Sequence, residues 1–178
     1  MHPNTEVSIM STPECKYCPL TVDVVVQSSN GDRFGAHSKN LEFFTDAFPV
    51  TGSTLPPQNG EVVELSESSE IIHFMLAFTH NLPPPNVTSL ELGTLLVLGE
   101  AMKKYGMYLA SEYVTAEINR RIPDEPLKIL AYKAKVSDFS LIDETARRTM
   151  KLLLQHVLSE LDPSAFRIWV RLSFQSKD

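Results

Sequence analysis

Thr21-Val22-Asp23-Val24-Val25-Val26-Gln27, Ser28-Ser29-Asn30-Gly31-Asp32 and Arg33-Phe34-Gly35-Ala36-His37 follow one another without a break. The first run is β-branched and apolar, the composition that suits a pleated, half-buried surface. The second is a cluster of turn formers, and its Asn30-Gly31 pair is favoured where a tight hairpin needs positive φ. The third can return as a second strand. A hairpin over 21–27 and 33–36 is therefore predicted, and the rest of the chain is read outward from it.

Downstream, Leu41, Phe44, Thr45 and Phe48 fall at helical spacing within 37–48. Residues 49–60 are turn formers and read as an exposed loop, and 61–65 as a short strand. Ser66, with Glu67 and Glu70 behind it, suits a helix start, and Ile72, Met75, Leu76 and Phe78 make that helix apolar until Pro83-Pro84-Pro85. Thr88 and Glu91 fit a capping box, with Val87 stapling onto Leu92. The helix they open carries Leu95, Leu96, Gly99 and Met102 on one face and ends at Gly106. Ala110, Val114, Ile118 and Ile122 line the next. Helices are thus expected over most of 67–80, 89–105 and 107–122.

After Pro123, Leu127, Leu130, Ala131 and Ala134 keep helical spacing, as do Phe139, Ile142, Ala146, Met150 and Leu153. These stripes should pack as a core rather than trail as a free tail. Asp162-Pro163 is an N-cap with a first-turn proline, opening a last helix through Phe166, Trp169, Val170 and Phe174. Strands first and helices afterwards mean an α+β fold. The expected division is a flexible N-terminal arm over 1–19, a domain over 20–122 and a helical extension over 123–178.

Composition narrows the function. The chain has 178 residues, 43% hydrophobic and 21% charged, enough to bury a core without disulfide staples. Sixteen Lys plus Arg against 22 Asp plus Glu give a net charge of -6, which disfavours nucleic-acid binding. The first ten residues lack the basic start and apolar run of a signal peptide, and no apolar stretch approaches the ~20 residues of a membrane span. An intracellular protein, cytoplasmic or nuclear, is expected, with neither nucleic acid nor membrane as partner.

Catalytic, cofactor-binding and metal-binding residues are not expected. Cys15-Lys16-Tyr17-Cys18 has the spacing of half a zinc site or of a redox motif. A structural zinc needs four ligands, and no second Cys or His pair stands at matching distance. A redox motif follows a strand and opens a helix, whereas this one precedes the first strand and runs into Pro19. The two thiols are read as incidental, with a thiol-dependent enzyme using Cys15 and Cys18 as the outlying alternative. The five histidines (2, 37, 73, 80 and 156) are scattered, and His37 is read as a structural group satisfied by backbone. Asp23, a carboxylate within an apolar strand, needs a hydrogen-bond partner. Both Asp23 and His37 are expected to be buried determinants of fold or interface. Glu112, Glu117, Arg120 and Arg121 read as the solvated face of a helix.

These patterns together resemble the BTB/POZ domain. The opening Asp23-Val24-Val25-Val26, the polar turn 28–32 and Phe34-Gly35-Ala36-His37 match its first signature. Val62 to Glu70, then Phe78-Thr79-His80, follow in the family's order. Leu95-Leu96, Ala101, Lys104-Tyr105-Gly106-Met107 and Leu109 match the last. The resemblance covers about 20–122, and the helices beyond Pro123 resemble the extension of short fungal BTB proteins. The family's usual His-Lys and Ser-x-x-Phe read here His37-Ser38-Lys39 and Thr45-Asp46-Ala47-Phe48. The extra helix and strand that swap between subunits in many members have only the 1–19 arm as counterpart.

The resemblance implies a non-enzymatic scaffold or adaptor that binds proteins, self-associates as a homodimer and uses no cofactor. It also raises a substrate adaptor of a cullin-type ubiquitin ligase as the alternative. The positions that would touch a partner are Phe48, Tyr105, Met107 and Tyr108, although helix packing around Gly106 accounts equally well for Tyr105 and Met107. The acidic residue of the cullin-binding loop is missing from 48–60, so cullin binding is expected to be weak or absent.

Overall fold

Gly31 sits at φ +89°, the positive-φ turn that Asn30-Gly31 required. Its amide donates to the Ser28 carbonyl at 2.9 Å, and the Ser28 amide donates to the Asp32 carbonyl at 2.9 Å. Strands β1 (Val24–Gln27) and β2 (Arg33–Ala36) run antiparallel from this turn, with Val25 opposite Gly35 and Val26 opposite Phe34. A third strand, β3 (Val62–Glu64), pairs parallel to β1, giving the order β2-β1-β3. The computed structural model describes residues 13–48 and 62–175; the expected loop over 49–60 and most of the 1–19 arm lie outside them.

The described chain is mixed α+β and gathers into two compact units, Met1–Pro84 and Pro85–Asp178. The sequence-read boundary at 122/123 falls inside the second. In the first unit, α1 (Ser38–Phe44) follows the hairpin and α2 (Ser69–Phe78) follows β3. Val24, Val26, Phe34, Ala36, Leu41, Ile72 and Leu76 form one core, with Tyr17, Phe48, Val63 and Leu65 packed on its edge. Fully burying one such aliphatic side chain contributes roughly 1.5–3 kcal/mol. The start of α2 is held from the hairpin turn and not by Ser66: the Ser69 amide donates to Asn30 Oδ1 at 2.9 Å. One turn thus sets the hairpin register and satisfies an orphan helix donor.

The second unit opens with α3 (Leu92–Lys104) and α4 (Tyr108–Arg120). The capping box does not form. Thr88 instead lies in a turn held by Asn86 Oδ1, and the helix starts at Leu92 with no side-chain cap from Glu91. The other end is as the sequence requires. Gly106 has φ +63°, with the Met107 amide on the Met102 carbonyl and the Gly106 amide on the Lys103 carbonyl, a Schellman closure.

Two charged residues depart from the expected solvated face. Glu117 is buried, and Arg120 and Arg121 both donate to it. Arg121 also reaches the Leu90 and Thr88 carbonyls at 2.6 and 2.8 Å, tying the end of α4 to the turn before α3.

Four further helices follow: α5 (Pro126–Lys135), α6 (Ile142–Thr149), α7 (Leu154–Glu160) and α8 (Pro163–Gln175). Leu127, Leu130, Ile142 and Ala146 enter one core with Val157, Leu161, Ala165 and Leu172. The helix read across 139–153 is shorter than its apolar spacing implied. Phe139 and Leu153 are exposed, and Leu153 caps α7 instead of extending α6. Asp162 caps α8 as expected, accepting from the amides of Ser164 and Ala165. Lys133, which carries no signal in the apolar spacing of α5, is 0% exposed and is neutralised by Asp138 at 2.9 Å. No helix among the described residues is long and apolar enough to cross a membrane.

Candidate functional site

The edge strand β2 decides where the N-terminal segment lies. A Cβ on Gly35 would stand 2.4 Å from the Pro13 carbonyl oxygen and 2.6 Å from Val22 Cγ2, so only glycine admits the crossing backbone. Beyond the crossing, Tyr17 joins the core edge and the Lys16 ammonium lies 5.6 Å from the Phe34 ring centroid. Cys15 and Cys18 are carried by this segment to the end of β2.

Two histidines meet them there. His37 stands between β2 and α1, and His80 follows the last turn of α2. Cys18 Sγ is 3.0 Å from His37 Nε2, Cys15 Sγ is 3.3 Å from His80 Nε2, and the two sulfurs are 3.7 Å apart. All four ligand atoms lie within 4.8 Å of one another. Both histidines are buried and both cysteines half-buried. The sulfur separation is far beyond the ~2.05 Å of a disulfide, and both thiols are free.

The far side of each imidazole is committed. His37 Nδ1 lies 3.1 Å from the Thr21 carbonyl oxygen, and His80 Nδ1 lies 2.8 Å from that of Leu76. A carbonyl only accepts, so each neutral ring carries its proton on Nδ1 and turns the Nε2 lone pair toward the sulfurs. Around them the Tyr17 amide donates to Cys15 Sγ at 3.4 Å, and the Tyr17 ring lies 5.1 Å from that of His80. Burial raises the Cys15 thiol, and the neighbouring Cys18 adds to this against the lowering effect of the Tyr17 amide. Burial also pushes the Tyr17 phenol up to about 12, with Cys15 reinforcing it. Two sulfurs and two imidazole nitrogens converging on one point have the donor set of a divalent-cation site.

The other sequence candidates stay apart from this cluster or change role. Asp23 is hydrogen-bonded but exposed, which corrects the expectation of burial. Its Oδ1 accepts from the Ser38 amide at 2.8 Å and its Oδ2 from the Ser38 hydroxyl at 2.6 Å. It caps α1 from the side, while its own amide donates to the Ala36 carbonyl at 3.3 Å. His37 is buried and backbone-bonded as expected, and it is also part of the quartet. Phe48 packs on the first core. Tyr105 and Met107, at 7% and 2% exposure, are core residues of the second unit and are withdrawn as contact residues. Tyr108 is 69% exposed.

Sequence spacing missed His80 altogether, because 65 residues separate it from Cys15. The usable signal was positional: one histidine just past a strand, another just past a helix, and a C-x-x-C ahead of both. No model of a known protein family matches the chain, and no curated protein matches it.

Proposed function

We propose that the chain is a non-enzymatic protein-interaction module of the BTB/POZ kind that self-associates, with a helical C-terminal extension. The observation that carries this reading is the Asp23–Ser38 clamp. Asp23, which opens the first stretch of the resemblance, accepts from Ser38, the residue inserted into the family's usual His-Lys, and so fixes α1 against the hairpin. The parallel return of β3 beside β1, leading into α2, follows the same order of elements.

Apolar surface for association is available on α1. Leu41 fills the core while Phe43, two residues on, is 81% exposed and packs edge-on against Phe44. A second copy of the chain is the occupant we assign to it, since aromatic anchors dominate interfaces when buried. The cullin-adaptor alternative is weakened, because Tyr105 and Met107 lie in the core and cannot offer the contacts it needs.

The thiol-enzyme alternative has one observation in its favour, the Cys18–His37 contact with His37 oriented by a carbonyl. Against it, a second cysteine and a second histidine crowd the same point. Burial also raises the Cys15 thiol, so Cys15 is not an activated nucleophile.

Light scattering of the full chain over a range of concentrations tests the leading reading. A dimer mass is expected, with Phe43→Ser weakening association at least tenfold and leaving circular dichroism unchanged. A monomer at every concentration overturns self-association.

A further inference from the structure

We propose that Cys15, Cys18, His37 and His80 bind one zinc ion, and that this ion is a structural staple for the first unit. The inference goes beyond the interaction reading and does not depend on it.

The four ligand atoms, all within 4.8 Å of one another, are spaced close to the edges of a coordination shell. With Zn–S of about 2.3 Å and Zn–N of about 2.0–2.1 Å, a regular tetrahedron has edges of about 3.8 Å between sulfurs and about 3.5 Å between sulfur and nitrogen. The observed sulfur–sulfur distance is 3.7 Å and the sulfur–nitrogen distances are 3.0 and 3.3 Å. The remaining pairs of ligand atoms lie within 4.8 Å of one another, so side-chain shifts of about 1 Å complete the tetrahedron.

The outer shell supports the same assignment. Metal-bound histidines almost always donate their other nitrogen to a carbonyl or carboxylate, and both do so here. The Leu76 carbonyl, which also accepts from the Thr79 amide and hydroxyl, lies in the last turn of α2, the helix end at which a cation is favoured. Without an ion, the two Nε2 lone pairs face weak thiol donors in a half-buried site. Thiolates are the stronger ligands, and they form when the metal displaces their protons.

The step balances simply. Zn²⁺ replaces the S–H protons of Cys15 and Cys18, forming two S–Zn bonds and releasing two protons to buffer. The His37 and His80 Nε2 lone pairs complete the shell, which is neutral and uses no oxidant. Four protein ligands leave no open position for a substrate, which makes this a structural site and not a catalytic one. Two cysteines and two histidines can also hold a Rieske-type two-iron, two-sulfur centre, but there the two pairs sit on different irons. These four atoms, all within 4.8 Å of one another, converge on a single ion. What the ion joins is long-range in sequence: the N-terminal segment, the end of β2 and the end of α2. Binding energy at such a site is folding energy for the segment it pins.

The test uses the purified full chain, reduced, freed of metal by chelation and titrated with Co²⁺ and then Zn²⁺. We expect one equivalent of Co²⁺ to give the intense visible bands of a tetrahedral thiolate site, and one equivalent of Zn²⁺ to abolish them. Cys15→Ser together with Cys18→Ser should lose the signal. Because that variant can misfold, His80→Gln is the second probe, expected to weaken zinc retention at least tenfold with circular dichroism unchanged. A weak octahedral cobalt spectrum from the unaltered chain overturns the proposal, as does full zinc retention in the double-cysteine variant.

Discussion

His37 Nε2 lies 3.0 Å from Cys18 Sγ across nineteen residues of chain, while the Nδ1 of the same ring rests on the Thr21 carbonyl. The ring is therefore held from behind and aimed forward. Its position follows from the hairpin: β2 ends at Ala36, and the clamp of Asp23 on Ser38 fixes the residue between them. A residue that looks like a fold determinant in the sequence is thus also a ligand in space.

Gly35→Ala should disturb the quartet without touching a ligand. The added methyl meets backbone at Pro13 and Glu14, which cannot swing aside as a long side chain can. Overpacking of this kind costs about 1–3 kcal/mol. Denaturant melts should show that loss, and amide exchange over 14–18 should quicken. An unchanged melt and unchanged exchange would mean that the segment does not cross at Gly35.

Asp23→Ala removes a cap and not a buried charge. The expected loss is about 0.5–2 kcal/mol, the range for an N-terminal cap, and Asp23→Ser should recover part of it. A loss well above 3 kcal/mol in denaturant unfolding would mean that the side chain serves more than Ser38.

The hairpin, the Gly106 helix end and the Asp162 cap were legible because each is written in a few adjacent residues. The capping box at Thr88 was misread for the same reason: Asn86, two residues upstream, competes for the Thr88 amide and hydroxyl. Lys133 and Glu117 were not legible as buried groups, since a charge in a helical pattern defaults to the solvent face unless its partner is known. The quartet was the least legible feature. Cys15 and Cys18 announce themselves by spacing, but His37 and His80 become neighbours only once β2 and α2 are packed on one core.

Lys133 and Asp138 should show the asymmetry of a buried pair. Asp138→Ala leaves an ammonium in the interior and should cost about 3–5 kcal/mol, whereas Lys133→Met with Asp138→Asn should cost far less. Burial works against the Asp138 carboxylate, but hydrogen bonds from Lys133 and Ser140 and the Lys133 charge hold its pKa below the ordinary value. A depressed folded value gives stability that is present above the unfolded pKa of about 3.9 and is lost as pH falls through the folded one. Unfolding followed from pH 6 down to pH 2 should therefore steepen below about pH 4. Asp138→Asn should flatten that part of the profile.

Metal removal should act locally. Chelation of the zinc-loaded chain should speed amide exchange at 14–18 and around His37 and His80, and lower the melting temperature. The α4 amides, inside the second unit's helical hairpin, should keep their protection. Exchange unchanged at the quartet after the metal has left would deny the staple role.

X-ray absorption at the zinc edge of the loaded full chain tests the central claim most directly. The account predicts two sulfur scatterers at about 2.3 Å and two imidazole nitrogens at about 2.0 Å. A shell of oxygen and nitrogen alone, with no sulfur, would contradict it.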